Sequence, residues 1–200
     1  VPLAAAPVIE RRLGSGLAAR VLGSVGDLAL KTRDAMRRRP RGISVDVLEG
    51  RFGPQFDTLD ERVGAGAPVA AVRSSRYLNW RYSFSPRTVV CARRDGALEG
   101  FAVFRMSEPG LAGLTEICAA DDDVARALLG GVIDAARAED AVVLSAQALS
   151  GSTGGLLLSE LGFSKREEGP GPILVLGEGS DAALLSDPGN WLLLEGDGDV

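Results

Sequence analysis

Residues 114–163, LTEICAADDDVARALLGGVIDAARAEDAVVLSAQALSGSTGGLLLSELGF, decide how the chain folds. Leu114–Cys118 is a short apolar run, which predicts a strand. Asp121–Asp123 makes an acidic turn after it. From Val124 to about Ala138, the residues Val124, Leu128, Val132 and Ala136 recur every fourth position, and Leu129 and Ile133 widen the stripe. That spacing predicts an amphipathic helix. Val142–Gln147 follows as a strand. Its apolar start, Ala141–Leu144, suits a strand covered on both faces. A second helix runs from about Thr153 to Leu161, and Gly162-Phe163 closes the stretch. The order is therefore strand, turn, helix, strand, helix.

Working upstream, Thr88–Ala92 and Leu98–Met106 are β-rich runs joined by Arg93-Arg94-Asp95-Gly96. Asp-Gly between two strands is a hairpin signal, and Leu114–Cys118 then completes a three-stranded meander. In RSSRYLNWRY, residues 73–82, Ser74 or Ser75 can cap a short helix whose Tyr77, Trp80 and Tyr82 dock on the sheet. Phe52, Phe56, Leu59 and Val63 predict another helix, and Ile43, Val45 and Val47 alternate as in a strand. Pro2–Ile9 reads as apolar and irregular. Leu13–Met36 has helical spacing broken by Gly14, Gly16, Gly23 and Gly26, each costing about 1 kcal/mol relative to Ala. One broken helix or two short ones would result, as in a connecting segment. Arg33–Arg41 is basic. It is either an anion-binding patch or a solvated helix end stopped by Pro40. Downstream, Ile173–Leu176 and Trp191–Leu194 are further strand candidates.

Two hundred residues fit one domain, or one domain with an extension, and a 46% hydrophobic fraction supports a core. A net charge of −5 argues against a nucleic-acid partner. With no histidine, Ser-His and Cys-His nucleophiles are excluded and the commonest zinc ligand is missing. Cys91 and Cys118 both lie in apolar strand runs and read as buried free thiols. No stretch is long and apolar enough for a membrane span.

Hairpin, third strand, helix, strand, helix and Gly-Phe form an order that resembles the GNAT superfamily of N-acetyltransferases. Tyr77-Leu78-Asn79-Trp80-Arg81-Tyr82, with Pro86 after it, is similar to a motif that opens the second half of bacterial two-half GNAT proteins. Trp191 and Gly196-Asp197-Gly198-Asp199 are similar to their ending. On this resemblance residues 43–200 are a GNAT-like domain, and residues 1–42 are a linker or helical extension from a missing first half. The fold it implies is α/β (α+β): a mixed, mostly antiparallel sheet with helices on both faces. The implied activity is acyl transfer from acetyl-CoA to a small-molecule amine acceptor, such as an amino sugar, in a cytoplasmic bacterial enzyme. The implied partners include an upstream GNAT half, with no nucleic acid and no membrane.

The resemblance also places a site. Glu116, on the third strand, takes the position of a carboxylate that deprotonates the amine. Ile117, Cys118, Ala119, Val124, Ala125, Arg126 and Ser152 take positions around the cofactor. In the family, amides of a turn with the signature Arg/Gln-x-x-Gly-x-Gly/Ala cradle the CoA pyrophosphate at a helix N-terminus. Aligned on Leu128-Leu129, this chain has Ala120, Asp123 and Ala125 there, and only Ala125 conforms. Asp121–Asp123 would repel a pyrophosphate and could cap the helix themselves. Leu158 and Ser152 stand where a Tyr and an Asn often serve the cofactor, and Leu cannot protonate a thiolate. Two readings follow: an enzyme half that holds acetyl-CoA, or a structural or acceptor-binding half degenerate in cofactor binding.

Overall fold

The computed structural model describes residues 1–4, 40–64, 68–84, 86–165 and 180–192. In chain order these form β1 (Ile43–Val47), α1 (Gln55–Gly64), β2 (Val69–Ala70), α2 (Ser75–Arg81), β3 (Thr88–Arg94), β4 (Ala97–Glu108) and β5 (Leu111–Ala119). Then come α3 (Asp122–Ala138), β6 (Val143–Ala146), α4 (Thr153–Glu160), α5 (Ser180–Ser186), a 3-10 turn (Pro188–Asn190) and β7 (Trp191–Leu192). The segments Leu13–Met36 and Ile173–Leu176 lie outside the described residues, as do Gly196–Asp199 and all of the basic run but Pro40 and Arg41.

Five strands make one sheet in the order β1-β3-β4-β5-β6. The pairs β1–β3, β3–β4 and β4–β5 are antiparallel, and β5–β6 is parallel. The mixed, mostly antiparallel α/β architecture expected from the sequence is therefore present. The β3–β4 hairpin turns at Asp95 and Gly96, both with positive φ (51° and 83°), as a two-residue Asp-Gly loop requires. A separate parallel pair, β2–β7, aligns Val69 with Trp191. Near the N-terminus Pro2 bridges Val143, and the Leu144 amide donates to Val1 O, so this segment lines the outer edge of β6.

The sheet carries helices on both faces. On one, α3 and α4 bury Val124, Leu128, Val132, Ile133, Leu158 and Leu161 against Val90, Ala102, Phe104, Leu114 and Ile117. Burial of α3 follows the stripe read from the sequence. On the other face, α1 and α2 bring Phe56, Leu59, Leu78 and Tyr82 onto Val89, Cys91, Phe101, Val103 and Cys118. Trp80 departs from expectation, because its side chain is 62% exposed and does not dock on the sheet. The helical period explains it. Leu78 and Tyr82, four apart, face inward, and Trp80, two residues from each, points the opposite way.

Candidate functional site

β6 pairs with β5 only through Leu111–Leu114, opposite Val143–Ala146. Among the described residues, Thr115–Ala119 continue along β4 with no partner on the β6 side. The two parallel strands therefore part, and α3 starts just beyond the end of β5. At the point of parting β5 carries a bulge: Val103 pairs with Glu116 but Phe104 pairs with Leu114, which leaves Thr115 extra. The Thr115 hydroxyl donates to Val103 O (3.1 Å) and closes the bulge.

That extra residue decides where Glu116 points. In an unbroken strand Ala112, Leu114, Glu116 and Cys118 would share one face. Past the bulge Ile117 joins Ala112 and Leu114 under α3, while Cys118 turns to the α1–α2 side. Glu116 turns with it. Its Oε1 accepts from Arg73 Nε and its Oε2 from the Tyr82 hydroxyl (2.7 Å). Glu116 and Arg73 are 1% and 2% exposed. A carboxylate so buried keeps its charge only when paired and hydrogen-bonded, and both partners are donors. Burial, followed by the neighbouring Glu116 charge, pushes the Tyr82 phenol above its usual range, so it stays a protonated donor. Arg73 also donates to Ala71 O (2.9 Å), which holds the segment before α2 over β5.

Glu116 is the strand carboxylate singled out from the sequence. Arg73 and Tyr82 were not assigned to a site, although both lie in RSSRYLNWRY; a buried strand carboxylate demands a donor, and this stretch is where donors were available. The arrangement engages both carboxylate oxygens. One donor sits on each oxygen, so the carboxylate is held in place by a buried ion pair and a phenol.

The turn from β5 into α3 brings together the other expected positions. Ile117 and Cys118 are buried on opposite faces, and Ala119 is half-buried at the strand end. Val124 and Ala125 are buried on the inner side of α3. The Ala120 amide donates to Glu99 O (2.9 Å) and the Ala125 amide to Asp121 O (3.0 Å). Asp121 is the N-cap: its Oδ1 accepts from the Val124 amide (2.8 Å). Its Oδ2 accepts from Arg94 Nη2 (2.9 Å), reaching across from the hairpin. The Val124 amide first, then Arg94 and the Asp123 amide, hold the Asp121 carboxyl below the usual carboxylate range. Arg126, exposed, pairs with Asp123 (3.3 Å) on its own first turn. Ser152 is buried at the α4 N-cap, where its Oγ accepts from the Gly155 amide (3.1 Å) and donates to Leu149 O (2.7 Å).

An acyl-CoA diphosphate needs bare amides and positive charge at such a helix start. Here Asp121's own carboxylate accepts the Val124 amide, and Asp122 and Asp123 stand exposed beside it. The residues present do not fit a diphosphate.

No family model matches the chain, and no curated protein matches it. Solved structures do. Ribosomal-protein-alanine N-acetyltransferase from Brucella melitensis biovar Abortus superposes with a TM-score of 0.51 at 21% identity, over 68% of this chain and 99% of that one. A putative GNAT-family acetyltransferase from Desulfovibrio desulfuricans gives 0.45 at 18% identity, over 62% and 87%. The C-terminal DUF2156 domain of a putative lysylphosphatidylglycerol synthetase from Agrobacterium fabrum gives 0.43 at 16%, over 72% and 46%. The chain has a GNAT-like fold. At these identities the likeness is one of fold alone.

Proposed function

We propose that this GNAT-fold domain serves N-acyl transfer from acyl-CoA to an amine without seating the acyl-CoA itself. It acts as a structural or acceptor-binding module that packs on a catalytic half in the cytoplasm. One observation carries the reading: the Asp121 carboxylate, bonded to the Val124 amide and Arg94, occupies the helix start where a diphosphate would lie. Two like charges cannot share that position without strong repulsion. The engagement of Glu116 by Arg73 and Tyr82 supports it further, since both carboxylate oxygens already serve a buried network within the protein.

A second reading is favoured by the parting of β5 from β6, which keeps an opening of the kind that acyl-CoA enters in GNAT enzymes. In it the domain is an acetyltransferase with Glu116 as base, acetyl-CoA along Ile117–Arg126, and Ser152 nearby. Calorimetry with acetyl-CoA separates the two. The module reading expects no binding heat at millimolar ligand. Saturable heat that strengthens on Asp121→Asn, which removes the negative charge at the helix start and keeps a capping side chain, would establish the enzyme reading instead.

A further inference from the structure

A second feature lies on the exposed side of α2. Arg51, Phe52, Arg76, Asn79, Trp80 and Ser83 line an open groove of about 600 Å³. Arg76, Trp80 and Ser83 stand at i, i+4 and i+7 and so form one stripe of the helix and the turn after it. Arg51 and Phe52, from the loop before α1, form the facing wall. Asn79 fastens the two walls. Its Oδ1 accepts from the Phe52 amide (3.1 Å), and its Nδ2 donates to Phe52 O (2.8 Å) and Ser75 O (2.7 Å). The groove is therefore set before any ligand arrives.

Its chemistry is lopsided. Arg51 and Arg76 are exposed, and neither side chain makes a hydrogen bond or ion pair among the described residues. Among the described residues no Asp or Glu lines the groove, although the chain carries a net charge of −5. Behind Phe52 a third guanidinium, of Arg87, lies 5.3 Å from the ring centroid. Trp80 leaves its indole open to solvent, with Tyr77 its one ring neighbour among the described residues. Ser83 spends its proton on Trp80 O (2.8 Å) and keeps its lone pairs for a donor. Exposed Trp and Arg together are the residue types that carry recognition.

We propose that this groove binds a small anionic sugar. The sugar ring lies on the Trp80 indole, Arg51 and Arg76 hold its carboxylate or phosphate, and Ser83 accepts from a ring hydroxyl. Charge selects an anion, because two unpaired guanidiniums face no acid. A single open indole with a polar rim suits a C–H face of a sugar ring. The site takes no residue from the opening between β5 and β6, so it stands whether or not that opening holds acyl-CoA.

The chain has two tryptophans, hence two indole N–H signals in a nitrogen-15 spectrum, and Trp80→Phe assigns them. The full chain is titrated with glucuronate, a hexose phosphate, neutral glucose and inorganic phosphate. The Trp80 signal is expected to move saturably with glucuronate or the hexose phosphate while the Trp191 signal stays in place. Whichever of the two binds names the anion. Arg51→Ala and Arg76→Ala, both at exposed positions, should each weaken that binding about tenfold with an otherwise unchanged spectrum. The proposal is overturned if neither sugar acid saturates the signal at tens of millimolar. It is equally overturned if neutral glucose matches them, or if inorganic phosphate does as well, which would mean an adventitious ion only.

Discussion

The Asp121 carboxylate closes the N-terminus of α3 and puts negative charge at that helix start. Asp121→Ala should cost about 1 kcal/mol at neutral pH in a urea titration, the ordinary loss for a missing N-cap. The sign of the pH dependence follows from the lowered carboxyl. A depressed native pKa contributes stability that is complete above the unfolded value of about 4 and fades as pH falls through the native one. The gap between wild type and variant should therefore narrow in acid below about pH 4. A gap that stays constant to the end of the acid limb would remove the capping role. The acidic turn was legible as a capping turn from composition alone. Its bond to Arg94 was not, because the two residues are brought together by the β3–β4 hairpin and not by their spacing.

At the scale of elements, the strands and helices of residues 43–163 were nearly all readable from periodicity and turn chemistry. The meander, its Asp-Gly turn and the α3 stripe occur where expected. The two glycines inside α3 show what periodicity cannot decide. A Cβ on Gly130 would meet nothing within 4 Å, whereas one on Gly131 would come within 2.5 Å of Val45 Cγ1 and 2.8 Å of Val90 Cγ1. Gly130→Ala should stabilise the protein by about 0.5–1 kcal/mol through helix propensity. Gly131→Ala should destabilise it by about 1–3 kcal/mol, since stiff β-branched neighbours cannot swing aside. Thermal unfolding of the two variants would show opposite shifts; shifts of the same sign would contradict the packing of α3 on β1 and β3. In sequence the pair is simply Gly-Gly, and only the sheet beneath it tells one from the other.

For the whole molecule, the two thiols report on the core. Cys91 and Cys118 each pair in register with Phe101, from opposite sides of β4. Two strand spacings separate them by about 10 Å, beyond the reach of a disulfide. Burial pushes both thiols up to about 12. At pH 8 an aromatic disulfide reagent should therefore label neither in the native protein, and labelling should keep pace with global unfolding. Fast labelling of Cys118 alone would mean that β5 opens locally beside Glu116. Among the described residues no helix is long and apolar enough to cross a membrane.

The amino-acid sequence by itself determined the order of the elements, the covered face of α3, the hairpin and the acidic helix start. Each of these depends on residues within a few positions of one another, so the signal is local. Only the tertiary structure decided that Thr115 bulges and that Glu116 therefore turns to Arg73 and Tyr82. The same holds for the parting of β6 from β5 and for Trp80 facing solvent in the groove that Arg51 and Arg76 also line. Those outcomes depend on which strand lies alongside which, and on how far two strands stay in register. Such pairing is set by packing across the whole sheet, and no short window of sequence encodes it.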